Sequence, residues 1–180
     1  MAESAAFLIR EADFDDAAGI ADVHVRTWQA TYRDILPAAY LDGMSDIRHA
    51  AMWADVLDKP DRLGVTLIAE AGKDGIIGFA DCTHERGTRA RDQGEISALY
   101  VLPAWQRGGV GVTLVKAGAQ ALAAGGMTQL AIWVLQENAL ARDFYAHIGG
   151  ELSETRRSGF LGLDLTEVCY RWTDVAPLLV

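Results

Sequence analysis

The run Tyr100-Val101-Leu102-Pro103-Ala104-Trp105-Gln106-Arg107-Gly108-Gly109-Val110-Gly111 constrains the fold more than any other stretch of the chain. Before it, Glu95 to Val101 reads as a strand that stops at Pro103. After it, Val110 to Ala124 is rich in Ala, Leu and Val and meets Gly125-Gly126, the pattern of a helix with a glycine stop. The first N–H groups of a helix have no partner within it and carry partial positive charge. Glycine removes the Cβ that would keep a bulky anion away from them. A strand, a glycine turn and a helix in that order suit a phosphate or pyrophosphate.

Two common phosphate loops fail on the residues. No Lys-Ser or Lys-Thr pair closes the turn, so it is not a P-loop. Gly109-Val110-Gly111-Val112-Thr113-Leu114 lacks the third glycine of a dinucleotide fingerprint. The turn also follows a hairpin rather than opening a βαβ unit, which disfavours a nicotinamide-dependent oxidoreductase.

The rest of the chain alternates in period. Phe7 to Glu11 is strand-like, and Asp13, Asp15 and Asp16 suit a helix start. Ile20, His24, Trp28 and Thr31 recur at helical spacing until Ile35-Leu36-Pro37 interrupts them. Asp46 to Leu57 is expected to be a second helix. Val65 to Glu70 and Ile76 to Asp81 are strands joined by Gly72-Lys73-Asp74-Gly75, a hairpin signal. The polar stretch from His84 to Gln93 reads as an exposed loop. Leu130 to Leu135 is a strand, Ala139 to Ile148 a helix, and Leu152 to Arg157 and Glu167 to Trp172 are closing strands. The pattern predicts one mixed α/β domain.

Composition excludes several classes of function. A hydrophobic fraction of 51% with 23% charged residues fits a globular chain rather than a disordered one. No apolar run approaches the roughly 20 residues of a spanning helix, and Met1-Ala2-Glu3-Ser4 lacks the basic start of a signal peptide. A cytoplasmic protein is the default. The net charge of −9 disfavours nucleic acid and anionic membrane surfaces and mildly favours cationic partners. Cys82 and Cys169 form no CxxC pair and are expected to be reduced core thiols. His24, His49, His84 and His147 show no HExxH spacing, so no metal site is indicated.

Gln106-Arg107-Gly108-Gly109-Val110-Gly111 resembles the (Gln/Arg)-x-x-Gly-x-(Gly/Ala) signature of GNAT acetyltransferases, preceded as in that family by Leu99-Tyr100-Val101-x-Pro. Asn138-Ala139-Leu140-Ala141-Arg142-Asp143-Phe144-Tyr145, with Gly149 beyond it, is similar to a second family segment, Asn-x-x-Ala-x-x-Phe-Tyr-x-x-x-Gly. The resemblance implies an acyl-CoA N-acyltransferase fold over residues 1–180, with a core of about 7–172. That fold is a single α/β domain with a mixed, mostly antiparallel sheet flanked by helices. It further implies acetyl-CoA as cosubstrate, no metal, an amine of a small molecule or peptide as acceptor, and a homodimer as an option common in the family.

By the same resemblance, Gln106, Arg107, Gly108, Gly109 and Gly111 form the pyrophosphate turn, with Asn138 and Arg142 beside the cofactor. The N–H groups of Leu99 and Val101 would hold the pantetheine arm and thioester oxygen, and Tyr145 would protonate the leaving thiolate. An ammonium with a pKa near 10.4 is neutral in only about one part in a thousand or less at pH 7, so a base is useful. Glu95 is the candidate base, with Asp81 in reserve. On a regular strand Glu95 shares a face with Ser97, Leu99 and Val101.

Trp28-Gln29-Ala30-Thr31-Tyr32-Arg33-Asp34-Ile35-Leu36-Pro37 resembles an acceptor-side segment of one GNAT subgroup, in which a glycine replaces Asp34. Trp28 and Tyr32 are its candidate pocket residues, and Trp105 is expected to cover the turn. A catalytically weak acyl-CoA-binding sensor or assembly module is the alternative to an enzyme.

Overall fold

A computed structural model of the chain describes residues 6–59, 63–88 and 90–180; the Met1–Ser4 segment and part of the His84-to-Gln93 stretch lie outside them. After strand β1 (Leu8–Glu11) the chain turns at Asp13, whose carboxylate accepts the Asp15 N–H while Asp16 accepts the Asp13 N–H. This reciprocal cap opens a single 3-10 turn that runs into α1 (Ala17–Thr31). Beyond Pro37 a short helix α2 (Ala38–Asp42) forms, which the apolar pattern did not announce. Proline is tolerated at the entry to a helix because the first N–H groups need no partner there. Helix α3 (Asp46–Leu57) follows, capped by the Ser45 hydroxyl.

The strands β2 (Gly64–Glu70), β3 (Ile76–His84), β4 (Gln93–Val101), β5 (Gln129–Leu135), β6 (Glu151–Ser158) and β7 (Leu165–Trp172) join β1 in one sheet. Their order is β1-β2-β3-β4-β5-β7-β6, and every neighbouring pair is antiparallel except β4 with β5. Helix α4 (Val110–Ala124) packs Leu114, Val115 and Ala119 against Cys82, Ile96 and Leu130 on one face of the sheet. Helices α1 and α3 pack Ile20, Val23 and Trp53 against Ile68 and Phe79 on the other. Helix α5 (Ala139–His147) adds Tyr145 and Phe144 to the α4 side. Cys82 and Cys169 are both buried and are not joined in a disulfide.

Two irregularities shape the cleft. β4 and β5 pair only through Gln93–Glu95 and Gln129–Ala131, so beyond those residues the central strands part. In the same region Asp81 opposes Ala98 while Cys82 opposes Ile96, which leaves Ser97 as an extra residue on β4. Such a bulge moves one part of a strand onto the other face. The regular alternation expected for Glu95 therefore does not hold. Glu95 pairs with Thr83 and shares the α1 face with Asp81, Ala98 and Tyr100, whereas Leu99 and Val101 face α4.

Candidate active site

The glycine turn sits where the parted strands open. Arg107 and Gly109 adopt positive φ of 62° and 87°, and Gly109 is the N-cap of α4. The Gln106 side chain donates to the Val101 carbonyl at 3.0 Å, tying the turn to the end of β4. The next N–H, of Leu102, donates to Ile77 across β3. Successive N–H groups of an extended strand point to opposite edges, so those of Val101 and Leu99 point to the edge that β5 has left. The N–H groups of Leu99 and Val101 thus face the parted region beside the glycine turn.

Not every residue expected beside the turn lies on the cleft. Gln106, Arg107, Gly109 and Gly111 line it, but Gly108 and Arg142 do not. The Arg142 guanidinium donates to the Gln136 carbonyl at 3.0 Å and braces the entry to α5. A Cβ on Gly111 would stand 3.3 Å from the Phe144 ring, so this glycine also serves the close approach of α4 and α5. Asn138 lines the cleft, yet its side-chain oxygen accepts the Ala141 N–H as the cap of α5.

A cavity of about 760 Å³ runs from the turn to the α1 side of the sheet. At its centre Tyr145 is buried, and burial, helped by the nearby Tyr32, raises its pKa above the usual tyrosine value. Burial raises Tyr32 as well and holds Tyr100 well above that range. All three hydroxyls stay protonated at neutral pH and can donate. Glu95 is 1% exposed and lines the same cavity. Its two oxygens are engaged by Arg86, through the guanidinium at 3.2 Å from Nε to each and through the backbone N–H at 3.0 Å. Asp81 accepts from Thr66 at 2.9 Å and from Ser97 at 2.6 Å, so the bulged serine closes onto that carboxylate.

Beyond Glu95 the cavity is aromatic. Trp28 meets Tyr32 at 5.0 Å and Phe160 at 5.8 Å between ring centres. Both predicted aromatics are thus core and lining at once. Arg156 lies 3.9 Å from the centre of the Trp133 ring and pairs with Glu167 at 2.6 Å. Among the described non-glycine residues only Arg107 and Leu161 have positive φ, so the turn at Asp34 makes no demand for glycine. Trp105 packs under the turn against both apolar clusters. Arg86, Ser97, Arg156 and Glu167 escaped the sequence reading. Arg86 lay in a stretch read as a solvated loop, and the other three gain meaning only from strand register. Among the described residues no three His, Cys, Asp or Glu side chains gather as a metal site requires.

A bulged β4, a splayed β4–β5 pair and a glycine turn capping α4 together make the architecture of an acyltransferase. The chain belongs to the acetyltransferase (GNAT) family, whose model matches residues 24–149. It is 30% identical over 170 residues to YuaI of Bacillus subtilis, an uncharacterised N-acetyltransferase, covering 94% of this chain and 95% of that protein. An uncharacterised N-acetyltransferase of Archaeoglobus fulgidus is 29% identical over 77% of this chain and 88% of its own length. Among solved structures, the paia N-acetyltransferase of Thermoplasma acidophilum in complex with coenzyme A shares the fold. Its TM-score is 0.70, with 20% identity over 91% of this chain and 98% of that one. So does yncA of Salmonella typhimurium with its cofactor acetyl-CoA, at a TM-score of 0.67 and 20% identity over 94% and 95%.

Proposed function

We propose that the chain moves the acetyl group of acetyl-CoA to an amine of a small molecule or peptide, by direct transfer in a ternary complex. The observation that carries this reading is the single cavity joining the glycine turn, Tyr145 and Glu95. The fold relatives bound to coenzyme A and acetyl-CoA support the choice of cosubstrate. The open side of Gly109, where an added Cβ would meet nothing within 4 Å, fits a bulky phosphate against α4.

In this reading the Gly109 and Gly111 amides and Arg107 hold the pyrophosphate. The Leu99 and Val101 N–H groups hold the pantetheine arm, and polarise the thioester oxygen as negative charge develops on it. Glu95, directly or through water, takes one proton from the acceptor ammonium. The amine nitrogen then bonds to the thioester carbonyl carbon, the C–S bond breaks, and the nitrogen sheds its second proton. Tyr145 supplies a proton to the departing thiolate and is reprotonated from solvent. One proton is released overall. The reading places the enzyme in the cytoplasm, away from nucleic acid and membrane surfaces, which the net charge of −9 supports. Among the described residues no helix is long and apolar enough to cross a membrane.

One observation favours the second reading, a weak acyl-CoA-binding module: the Glu95 carboxylate is already occupied by Arg86. Thiol release from acetyl-CoA over a panel of amines, beside calorimetric acetyl-CoA binding, separates the two. Turnover with any amine supports the enzyme, and tight binding without turnover supports the module. Light scattering would test the homodimer.

A further inference from the structure

The occupied Glu95 carboxylate points to the kind of acceptor the cavity takes. Glu95 has 2% of its side chain exposed, while its partner Arg86 has 64% exposed. The pair therefore stands with its acid at the bottom of the cleft and its base at the mouth. The backbone beneath Arg86 is pinned independently. Glu85, buried beside it, is clamped by both terminal nitrogens of Arg171 at 2.9 Å, and its N–H bonds to the Gln93 carbonyl at 2.8 Å. Arg171 stands in the same row of the sheet as Glu95, with Ala131 between them. The segment is thus fastened across the sheet, and rotation of the Arg86 side chain alone would free the Oε1 side of Glu95 while Oε2 keeps the Arg86 N–H.

An ammonium reaching Glu95 must displace the Arg86 guanidinium, and the guanidinium then needs an anion. Leaving the buried Glu95 carboxylate without a cation is costly, so the group that displaces Arg86 has to be a cation itself. A molecule carrying its own carboxylate satisfies both ends. Its ammonium faces Glu95, its carboxylate faces Arg86, and no charge is left alone. A simple amine returns Arg86 to water, and a diamine brings a second cation beside it.

The α1 wall of the cavity agrees. The Thr27 hydroxyl, on a residue 4% exposed, and the Trp28 indole N–H are buried without a hydrogen-bond partner. The Tyr100 hydroxyl lies near the indole without reaching hydrogen-bond geometry. Both residues line the cavity. An indole can only donate, so this wall is finished by an oxygen that accepts. Arg156 is already balanced by Glu167.

Resting on the acetyl-transfer reading, we propose that the acceptor is an aminocarboxylate, bound as a zwitterion between Glu95 and Arg86. Arg86 is then the residue that selects the acceptor.

The test compares β-alanine, propylamine and 1,3-diaminopropane as acceptors, then phenylalanine and phenethylamine for bulk, with rates normalised to the neutral amine. The expected kcat/KM is about 10- to 100-fold higher for each aminocarboxylate than for its uncharged analogue, the size of a hydrogen bond to a charged group. The diamine is expected to be poorest. Arg86→Gln collapses the preference, and Arg86→Lys restores part of it. Equal rates in the wild type, or an equal loss on all acceptors in Arg86→Gln, would overturn the assignment. Thermal shift reads the subsite without turnover. With no acetyl-CoA present, phenylalanine should raise Tm more than phenethylamine, and Arg86→Gln should abolish the difference. A carboxylate-dependent shift with no turnover sinks the enzyme and keeps the subsite. Turnover without the preference or the shift keeps the enzyme and sinks the subsite.

Discussion

The two ends of the cleft are made of different materials. At the turn the donors are backbone N–H groups on contiguous chain, from Leu99 on β4 to Gly111 on α4. At the far end the lining groups, donors and acceptors alike, are side chains brought from α1, the β3–β4 connection, β5 and β7: Trp28, Arg86, Trp133 and Glu167. The first end is set by local conformation. The second exists only when distant segments have packed. One is suited to a constant ligand, and the other can change its ligand by changing a few side chains.

Mutations at the two ends should separate in what they damage. The largest loss is expected where they meet. Tyr145→Phe removes the proton donor and should lower kcat by about 100-fold while acetyl-CoA affinity, measured by calorimetry, holds. Unchanged kcat would take Tyr145 out of the acid role. Because burial raises its pKa, no alkaline fall in kcat below about pH 10 should come from this tyrosine.

Next in size is Gly109→Val. A side chain at φ 87° is strained by about 1–2 kcal/mol and also points into the open side of the turn. That strain falls on stability, while crowding of the pyrophosphate by the new side chain should lower acetyl-CoA affinity about tenfold or more; normal affinity would sink the proposed turn. The reverse signature belongs to Trp28→Phe, which keeps most of the ring but loses the N–H. The acceptor KM should rise about 3- to 10-fold, the worth of one hydrogen bond. An equal change in acetyl-CoA affinity would blur the division between the two ends.

Smaller effects fall on stability. Burial, with His49 adding to it, lowers the pKa of His24 to about 4, and its ring stacks 5.2 Å from Tyr100 behind the acceptor wall. The Trp53 indole donates to its Nδ1 at 3.1 Å. In the unfolded chain His24 protonates near 6.5, so its contribution is complete above that pH and is lost as pH falls toward 4. The slope of urea midpoint against pH in that window should be shallower in His24→Gln than in the wild type. An unchanged slope would show that other groups carry the acid sensitivity. Asn138→Ala should cost about 1 kcal/mol of stability through the lost cap and change acetyl-CoA affinity less than about twofold. A tenfold loss would return Asn138 to the cofactor-binding set, where the sequence alone had put it.

How much was legible follows the same division. The helices expected at Asp46–Leu57 and Val110–Ala124 have those bounds, and the second ends at its glycine stop, a local signal. The hairpin at Gly72–Gly75 and the closing strands were likewise readable within two or three residues. The bulge at Ser97 was not. One extra residue in a strand leaves no mark in composition, yet it turned Glu95 to the opposite face from Leu99 and Val101. Arg142 and Asn138 share the motif of the cofactor side, but their side chains are spent on the start of α5.

By itself, the sequence determined the strand–turn–helix that gathers backbone donors, and with it the family and the class of reaction. Those features depend on φ preferences, caps and apolar period, which act over a few residues. Tertiary structure alone decided that Glu95 lies in the cleft and that Arg86 stands over it. It also decided that Glu85 and Arg171 hold the chain beneath Arg86 in place. An ion pair depends on separation in space, and only the register of the sheet brings these charges together.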